Sequence, residues 1–332
     1  MITPSFGLTA TERVLPKLAL DFTTASLDSR ITFTRTGNTA TVTNSSGTIV
    51  GINANLPRFD YNPITLACNG LLIEEARTNL LLNSLIDGTS LITQAVVTTA
   101  VSTTLSFYGT GQIVLSGTSS ATVVGAGAYP SRKTYTFTPT AGALTLTVTG
   151  TVQYAQLEVG AFATSFIPTG ATSVIRNADV ATMTGTNFSS WYNASEGTFV
   201  VGFTKTSGLS AANNILLNAD NTDFSNRIQI ASDANTFSFF VRDTTSAQMS
   251  VSQANASGNN TCALAYKINS GCAARNGSQV GAIDTSMNIP TGINRLTIGT
   301  GYTLAQQCNA WISSIKYWPQ RVTTAETISF SK

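Results

Sequence analysis

Few residues in this sequence are able to carry out acid–base or nucleophilic chemistry. The 332 residues include no histidine. Ser–His–Asp and Cys–His hydrolases both need an imidazole, so a single copy of this chain cannot build either arrangement. Histidine-ligated metal sites are excluded for the same reason. The remaining candidates for catalysis are carboxylates.

A glycosidase needs two carboxyl groups that flank the scissile bond. Glu74 and Glu75 are adjacent, so they would face opposite sides of an extended strand. Glu158 has no second carboxylate near it in the sequence, and Glu196 precedes Gly197 at a predicted turn. No E-x-D-x-E or E-x-x-x-E spacing occurs. We therefore predict a non-enzymatic protein without catalytic residues. A hydrolase whose carboxylates come from different subunits is the catalytic alternative.

A short acidic cluster, Asp220, Asn221 and Asp223, is the nearest approach to a metal site. Calcium takes about six to eight oxygen ligands, and the sequence places no second group of ligands beside this cluster. The sequence predicts a polar loop there, and neither a metal nor a cofactor for the chain. A calcium site near Asp220 and Asp223 remains the alternative.

Aromatic side chains can stack on the apolar C–H faces of sugar rings, and five are candidates: Trp191, Tyr192, Trp311, Tyr317 and Trp318. Strand alternation from 311 to 318 places Trp311 and Tyr317 on one face and Trp318 on the other. We therefore expect one of these two tryptophans to face the core. Trp318, which precedes Pro319, is predicted to be exposed and is the candidate glycan-binding residue. Core packing is the alternative for all five.

The four cysteines have no C-x-x-C spacing, which argues against a zinc site. They are predicted to be small buried hydrophobic residues: Cys68, Cys262, Cys272 and Cys308. Cys262 and Cys272 flank a predicted turn at 269–271, but at unequal distances from it. We therefore expect that these two cysteines do not face each other.

Alternation of apolar residues with threonine or serine runs through most of the chain. Tyr135 and Phe137 alternate with threonines, and so do Leu144, Leu146 and Val148. This period of two predicts half-buried antiparallel strands. Only 10% of residues are charged, against roughly 25% in average proteins. Short helices are expected only near Glu74 and Thr324.

Frequent turn signals between these strands, such as Asn69-Gly70 and Asn276-Gly277, predict hairpins. The fold class predicted is all-β: two antiparallel β-sandwich (jelly-roll) domains in tandem, preceded by a strand-rich N-terminal anchoring segment. The predicted division is 1–84 for an arm and attachment module, 85–172 for a jelly roll, and 173–332 for a second sandwich. Residues 1–30 are irregular, and we expect them to need a partner surface.

The charge and the apolar runs exclude two classes of partner. The net charge is +2 and no cluster of lysine or arginine occurs, which disfavours nucleic-acid binding. The apolar runs are far shorter than the ~18 residues of a membrane helix, so no membrane insertion is expected. The first ten residues have neither a basic nor an apolar segment typical of export signals. We expect the protein to be assembled in a cytoplasm.

Several runs resemble segments of bacteriophage structural proteins. The run 70–84 (GLLIEEARTNLLLNS) is similar to a segment common in them, and 104–117, 135–150 and 152–170 resemble a head-spike or tail-fibre domain related to carbohydrate-binding jelly rolls. The C-terminal part resembles a laminin G, concanavalin A-like lectin fold, on the runs 188–203, 264–277, 289–299 and 310–326. Residues 1–63 match less clearly.

The resemblance implies a virion structural protein. We expect a fibre or spike subunit that projects from a phage particle and contacts host-surface glycans. The alternative is a capsid decoration or cement protein that stabilises the particle without binding a receptor. Other virion proteins of the capsid or tail are the expected partners, together with further copies of the chain in a homo-oligomer, as a trimer, and a host-surface polysaccharide.

Overall fold

The computed structural model describes residues 15–205, 214–233, 235–255 and 258–332. The predicted N-terminal arm therefore lies partly outside the described residues. Antiparallel strands dominate the described part, which confirms the all-β fold class. The strands of the first segment are short: β1 (Leu18–Asp21), β2 (Thr32–Thr34), β3 (Ala40–Thr43), β4 (Ile49–Ile52), β5 (Phe59–Tyr61), β6 (Cys68–Ile73) and β7 (Arg77–Asn79).

The middle segment adds seven further strands. They are β8 (Gln94–Thr98), β9 (Thr103–Tyr108), β10 (Gln112–Gly117), β11 (Ala121–Val124), β12 (Lys133–Phe137), β13 (Gly142–Thr149) and β14 (Gln153–Val159).

The last segment contains the longest strands and both α-helices. The elements are β15 (Val174–Arg176), β16 (Val180–Thr184), α1 (Thr186–Ser189), β17 (Glu196–Lys205), β18 (Asn214–Asp220), β19 (Arg227–Ser232), β20 (Thr236–Arg242), β21 (Ala247–Ala254), β22 (Asn259–Lys267), β23 (Ser270–Arg275), β24 (Ser278–Asp284), β25 (Arg295–Ile298), β26 (Ala310–Trp318) and α2 (Thr324–Phe330).

A large sandwich is built from two sheets that share one apolar core. The eight-stranded sheet has the order β24-β23-β22-β17-β26-β6-β5, with β1 also paired to β26. The seven-stranded sheet has the order β2-β16-β25-β18-β19-β20-β21. Phe199 and Phe203 of the first sheet and Phe237 and Phe239 of the second belong to the same buried cluster. The apolar residues of the alternating runs in the sequence therefore form the inward face of each sheet.

A small sandwich is formed by β8–β14, which in sequence lie between the strands that contribute to the large sandwich. Its sheets have the orders β11-β10-β13-β8 and β12-β9-β14. Its core is a separate buried cluster that includes Leu105, Phe107, Leu144 and Leu146. The chain enters and leaves it side by side, because β7 pairs with β15 and Asn83 N–H donates to Gly170 O at 2.7 Å.

Four strands before residue 84 (β1, β2, β5 and β6) belong to the sheets of the large sandwich, while β3 pairs with β4 and β7 pairs with β15 in two-stranded sheets. Leu20 pairs with Ile315 and Phe33 pairs with Ala181. Leu71 pairs with Ile312. Residues of the predicted 1–84 and 173–332 units thus share two sheets and one core, while the predicted boundaries themselves stay predictions. Alternation shows that a strand exists but does not show which distant strand pairs with it, so the sequence could not reveal this sharing.

The short helices were predicted with mixed success. α2 forms at Thr324, with Thr323 and Glu326 in a capping box, as expected. The helix expected near Glu74 is wrong, because this residue follows β6 directly and its carboxylate is buried in an ion-pair cluster. Among the described residues, no helix has the length and apolar character needed to cross a membrane.

The turn and cysteine predictions can also be compared with the structure. Asn276 and Gly277 have positive φ, which makes a tight hairpin between β23 and β24. Cys262 pairs with Arg275 and Cys272 pairs with Ala265, so the two cysteines do not face each other, as predicted. Three cysteines are buried, and Cys68 is half-buried.

Candidate functional site

A β-bulge in β26 decides where the two tryptophans of this strand point. Ile312 pairs with Phe203 and Ser314 pairs with Gly202, so Ser313 is an extra residue without a partner on β17. The bulge resets the alternation, and both Ile312 and Ile315 face the core. Trp311 and Trp318 therefore both lie on the outer face of the eight-stranded sheet. The prediction that one of them faces the core is wrong for this reason.

Trp318, the predicted glycan-binding residue, is covered. Its side chain is 5% exposed and packs with Val200 and Val322. Its ring stacks on Phe330 of α2 with a centroid distance of 4.4 Å. The expected exposure is wrong because α2 folds back over this part of the sheet. The other candidates Trp191 and Tyr317 belong to the core.

Trp311 is half-buried, and a buried carboxylate fixes the orientation of its ring. Its indole Nε1 donates to Asp60 Oδ2 at 2.8 Å. Asp60 lies on β5, is 8% exposed, and also accepts Thr43 N–H at Oδ1, at 2.6 Å. Both carboxylate oxygens therefore have donors, and the ring of Trp311 is held in one orientation.

The ring of Trp311 lines a cleft that encloses about 690 Å³. The opposite wall belongs to the small sandwich and includes Tyr108 and Tyr129, whose ring centroids are 5.1 Å apart. The Tyr129 hydroxyl lies 2.9 Å from Thr43 Oγ1, which links the two walls. Asn62, Asn69 and Asn259 add amide groups to the lining.

Arg132 supplies a positive charge to this cleft. Its Nη1 donates to Thr164 O at 2.7 Å and its Nη2 donates to Ser106 Oγ at 2.8 Å. The guanidinium carbon lies 5.9 Å from the centre of the Tyr108 ring. Within the described part of the chain, no carboxylate forms an ion pair with Arg132. Arg132 can therefore donate further hydrogen bonds to a ligand.

Two carboxyl groups line the cleft, and their surroundings shift their pKa values in opposite directions. Burial raises the pKa of Asp60 to about 6, against the opposing effect of its two hydrogen-bond donors. Glu74 is also buried, but Arg176, Arg58 and Ser165 outweigh that burial and lower its pKa to about 2.

The Glu74 carboxylate is the centre of a buried ion-pair cluster beneath the cleft. It accepts from Arg58 Nη1 at 2.8 Å and from Ser165 Oγ at 2.6 Å, and it pairs with Arg176. Asp179 neutralises Arg35 and Arg58 in the same cluster. The cluster thus links three parts of the chain by ion pairs and hydrogen bonds: the first strands, the exit from the small sandwich, and β15.

The two carboxylates of the cleft are engaged by groups of the protein itself. A general acid must hold a proton at the working pH, and the ionised, doubly paired Glu74 does not. Both oxygens of Asp60 are occupied by donors on the protein itself. An aromatic ring, two tyrosines and several amides offer instead a flat apolar surface with hydrogen-bonding groups around it.

The acidic cluster at 220–223 is satisfied internally. Asp220 accepts from Arg295 Nε at 2.9 Å and from Thr222 N–H at 2.7 Å, both at Oδ1. Asp223 accepts from Ser225 N–H at 2.6 Å. Among the residues described by the structure, no group of three or more acidic or cysteine side chains is placed to hold a metal ion.

Sequence reasoning missed most of this cleft. Trp311 was among the aromatic candidates, but Asp60, Tyr108, Tyr129 and Arg132 were not singled out. Alternation places Asp60 on the side of β5 opposite to Phe59 and Tyr61, so the sequence carries no local signal that this carboxylate is buried. The approach of Tyr129 and Arg132 depends on how the small sandwich sits and has no local signal.

No protein-family model matches the chain, and no curated protein matches it by sequence. Among solved structures, the carbohydrate-binding module CBM40 of a Ruminococcus gnavus intramolecular trans-sialidase is similar, with 16% identity and a TM-score of 0.36, over 42% of this chain and 84% of that one. The same module has been solved with α2,3-sialyllactose, at 17% identity and a TM-score of 0.35, over 42% of this chain and 83% of that one.

A binding domain of botulinum neurotoxin DC, solved with rat synaptotagmin II, is also similar. It has 11% identity and a TM-score of 0.36, over 46% of this chain and 40% of that one. The likeness is partial, and it does not identify a ligand for this chain.

Proposed function

We propose that this chain is a non-enzymatic, glycan-binding component of a bacteriophage particle, a fibre or spike subunit that contacts host-surface polysaccharide. The cleft beside Trp311 carries the proposal of glycan binding. Asp60 fixes the indole ring, and tyrosines and amides line the rest of a space of about 690 Å³. A pyranose has an apolar C–H face and a rim of hydroxyls, which match such a surface.

The particle assignment is supported by the sequence resemblance of the runs 70–84, 104–117 and 135–170. The proposed partners are other virion proteins and further copies of the chain in a trimer, and the proposed location is the virion. A surface rich in threonine and poor in charge suits close packing between subunits.

The absence of catalysis is also a proposal. It is supported by the two carboxylates of the cleft, since Glu74 pairs with two arginines and both oxygens of Asp60 have protein donors. Neither group is free to act on a glycosidic bond in this arrangement.

The test is a binding screen of the whole protein against immobilised bacterial capsular and O-antigen polysaccharides, followed by calorimetry on the best ligand. W311A is expected to weaken binding by about tenfold or more, because aromatic contacts contribute heavily to binding energy. V97A is the control, because Val97 is 79% exposed on β8 of the small sandwich and does not line the cleft. Melting curves of both variants check folding.

Two outcomes would contradict the proposal. If the wild-type protein binds no polysaccharide and particles that lack it are fragile but still adsorb, the decoration alternative is favoured. If the wild-type protein shortens the polymer and D60N does not, the chain is a hydrolase.

A further inference from the structure

A row of charged residues crosses the outer face of the seven-stranded sheet, on the side of the large sandwich away from the cleft. Arg295, Asp220, Arg227 and Arg242 are successive cross-strand partners on β25, β18, β19 and β20. Their neighbours in each strand, such as Leu296, Ala219, Ile228 and Val241, point into the core. The four charged side chains therefore lie next to one another on one face.

Only one arginine of this row is neutralised. Asp220 pairs with Arg295 at 2.7 Å, and its carboxylate also accepts hydrogen bonds from Thr222 N–H and Asn218 Nδ2. Arg227 and Arg242 have no carboxylate partner among the described residues. Burial, and then the nearby charge of Arg242, lower the pKa of Arg227. Like charges directly opposite in a sheet destabilise it, so this pair is costly for folding alone.

An exposed aromatic ring lies over the two unpaired cations. Phe224, in the turn between β18 and β19, is 50% exposed. Its ring centre is 4.0 Å from the guanidinium carbon of Arg227 and 4.8 Å from that of Arg242. Arg227 is 8% exposed and also donates to Phe224 O at 2.5 Å, so it lies buried beneath the ring, while Arg242 is only half-buried.

We propose that this face is a second binding site, for a carboxylated sugar of an acidic polysaccharide. Arg242 donates two N–H groups to the sugar carboxylate, the pairing that guanidinium geometry favours. Phe224 offers the exposed side of its ring to the sugar, and Arg227 adds positive potential from below. Two unpaired cations next to one exposed ring match a single carboxylated ring, whereas the phosphates of a nucleic acid need a longer basic track.

The experiment is calorimetry of the whole protein at low salt with oligogalacturonate, hyaluronan oligosaccharide and sialyllactose. The methyl ester of oligogalacturonate, single-stranded DNA and dextran sulfate are the comparison ligands. We expect at least one carboxylated sugar to bind and the ester not to bind. R242Q and F224A should each weaken binding by about tenfold. K267Q is the matched control, since it removes one exposed positive charge from β22 of the other sheet.

Several results would overturn this proposal. One is that none of the three carboxylated sugars binds at millimolar concentration. Another is that K267Q loses as much affinity as R242Q, with DNA and dextran sulfate bound equally well, which would mean non-specific attraction. If W311A loses affinity for the carboxylated sugar and R242Q does not, the acidic sugar binds in the cleft instead. Failure of the cleft proposal leaves this one standing, because that test uses W311A on the opposite face.

Discussion

At the scale of single residues, Asp60 is a buried carboxylate that fixes the orientation of the Trp311 ring. It is the only carboxylate that contacts Trp311 among the described residues, and its burial makes its ionisation costly. The charged form accepts both hydrogen bonds, so the ring of Trp311 is held best when Asp60 is ionised. The folded protein therefore gains an oriented indole at the expense of stability.

This balance predicts a pH dependence. The pKa of Asp60 rises from 3.8 to about 6 on folding, so the folded state binds a proton that the unfolded state has lost between these values. Stability should consequently fall as pH rises from about 4 to about 6, by about 3 kcal/mol in total. The measurement is urea unfolding of wild type and D60N between pH 4 and pH 7.

D60N cannot ionise, so its free energy of unfolding should lack this fall. An equal slope in both proteins would show that Asp60 does not titrate as described. Glu74 titrates in a lower window, since its folded pKa of about 2 lies below its ordinary 4.5. Its stabilisation is present above 4.5 and is lost as pH falls toward 2, so the two effects can be separated. The chain has no histidine that would titrate near neutral pH, so Asp60 places a change of stability at the lower edge of that range.

At the scale of elements, the bulge in β26 depends on the neighbouring strand β6. Gly70 has φ of +114°, and a Cβ built there would lie 2.2 Å from Ile312 O and 2.9 Å from Ser313 Cα. Only glycine lets the two backbones approach this closely beside the extra residue. The Asn69-Gly70 pair, predicted as a turn, in fact serves this contact within β6.

G70A should therefore destabilise the protein by about 3 kcal/mol or more, because both the positive φ and the clash must be relieved. The measurement is the free energy of unfolding in urea. G170A is the control, since nothing lies within 4 Å of a Cβ built at Gly170. Similar stabilities for the two variants would mean that the bulge tolerates a side chain.

At the scale of the whole molecule, two apolar cores are joined by the buried ion pairs around Glu74. Ser165, at the exit from the small sandwich, donates to Glu74 from both its hydroxyl and its N–H, and Arg58 and Arg176 flank the same carboxylate. E74Q leaves the buried Arg176 without its charge partner, while Arg58 keeps its ion pair with Asp179. Loss of one partner of a buried ion pair typically costs about 3–5 kcal/mol.

The E74Q variant should also lose cooperativity between the sandwiches. We expect its calorimetric enthalpy of unfolding to exceed the van't Hoff enthalpy more than in the wild type, because each core can then unfold by itself. D28N, which breaks a more exposed pair with Arg30, is the control and should cost less than about 1 kcal/mol. A single two-state transition in E74Q would argue that other contacts couple the cores.

Local patterns in the sequence sufficed for the strands, the short helix α2 at Thr324 and the Asn276-Gly277 hairpin. They failed wherever a distant segment decides the outcome. The placement of Trp311 and Trp318 depends on a bulge at Ser313 and on α2, and the cleft depends on contacts between residues such as Thr43 and Tyr129. Period-two alternation carries no information on such long-range pairing.

The side-by-side strands β7 and β15 have an evolutionary consequence. Because the chain enters and leaves the small sandwich at one narrow neck, residues 83–170 form an exchangeable cassette. Replacing it by recombination would leave the pairing within both large sheets intact while renewing the wall that carries Tyr108, Tyr129 and Arg132. Trp311 and Asp60 would remain as the constant half of the cleft, so a lineage could change the lining of the other half in one genetic step.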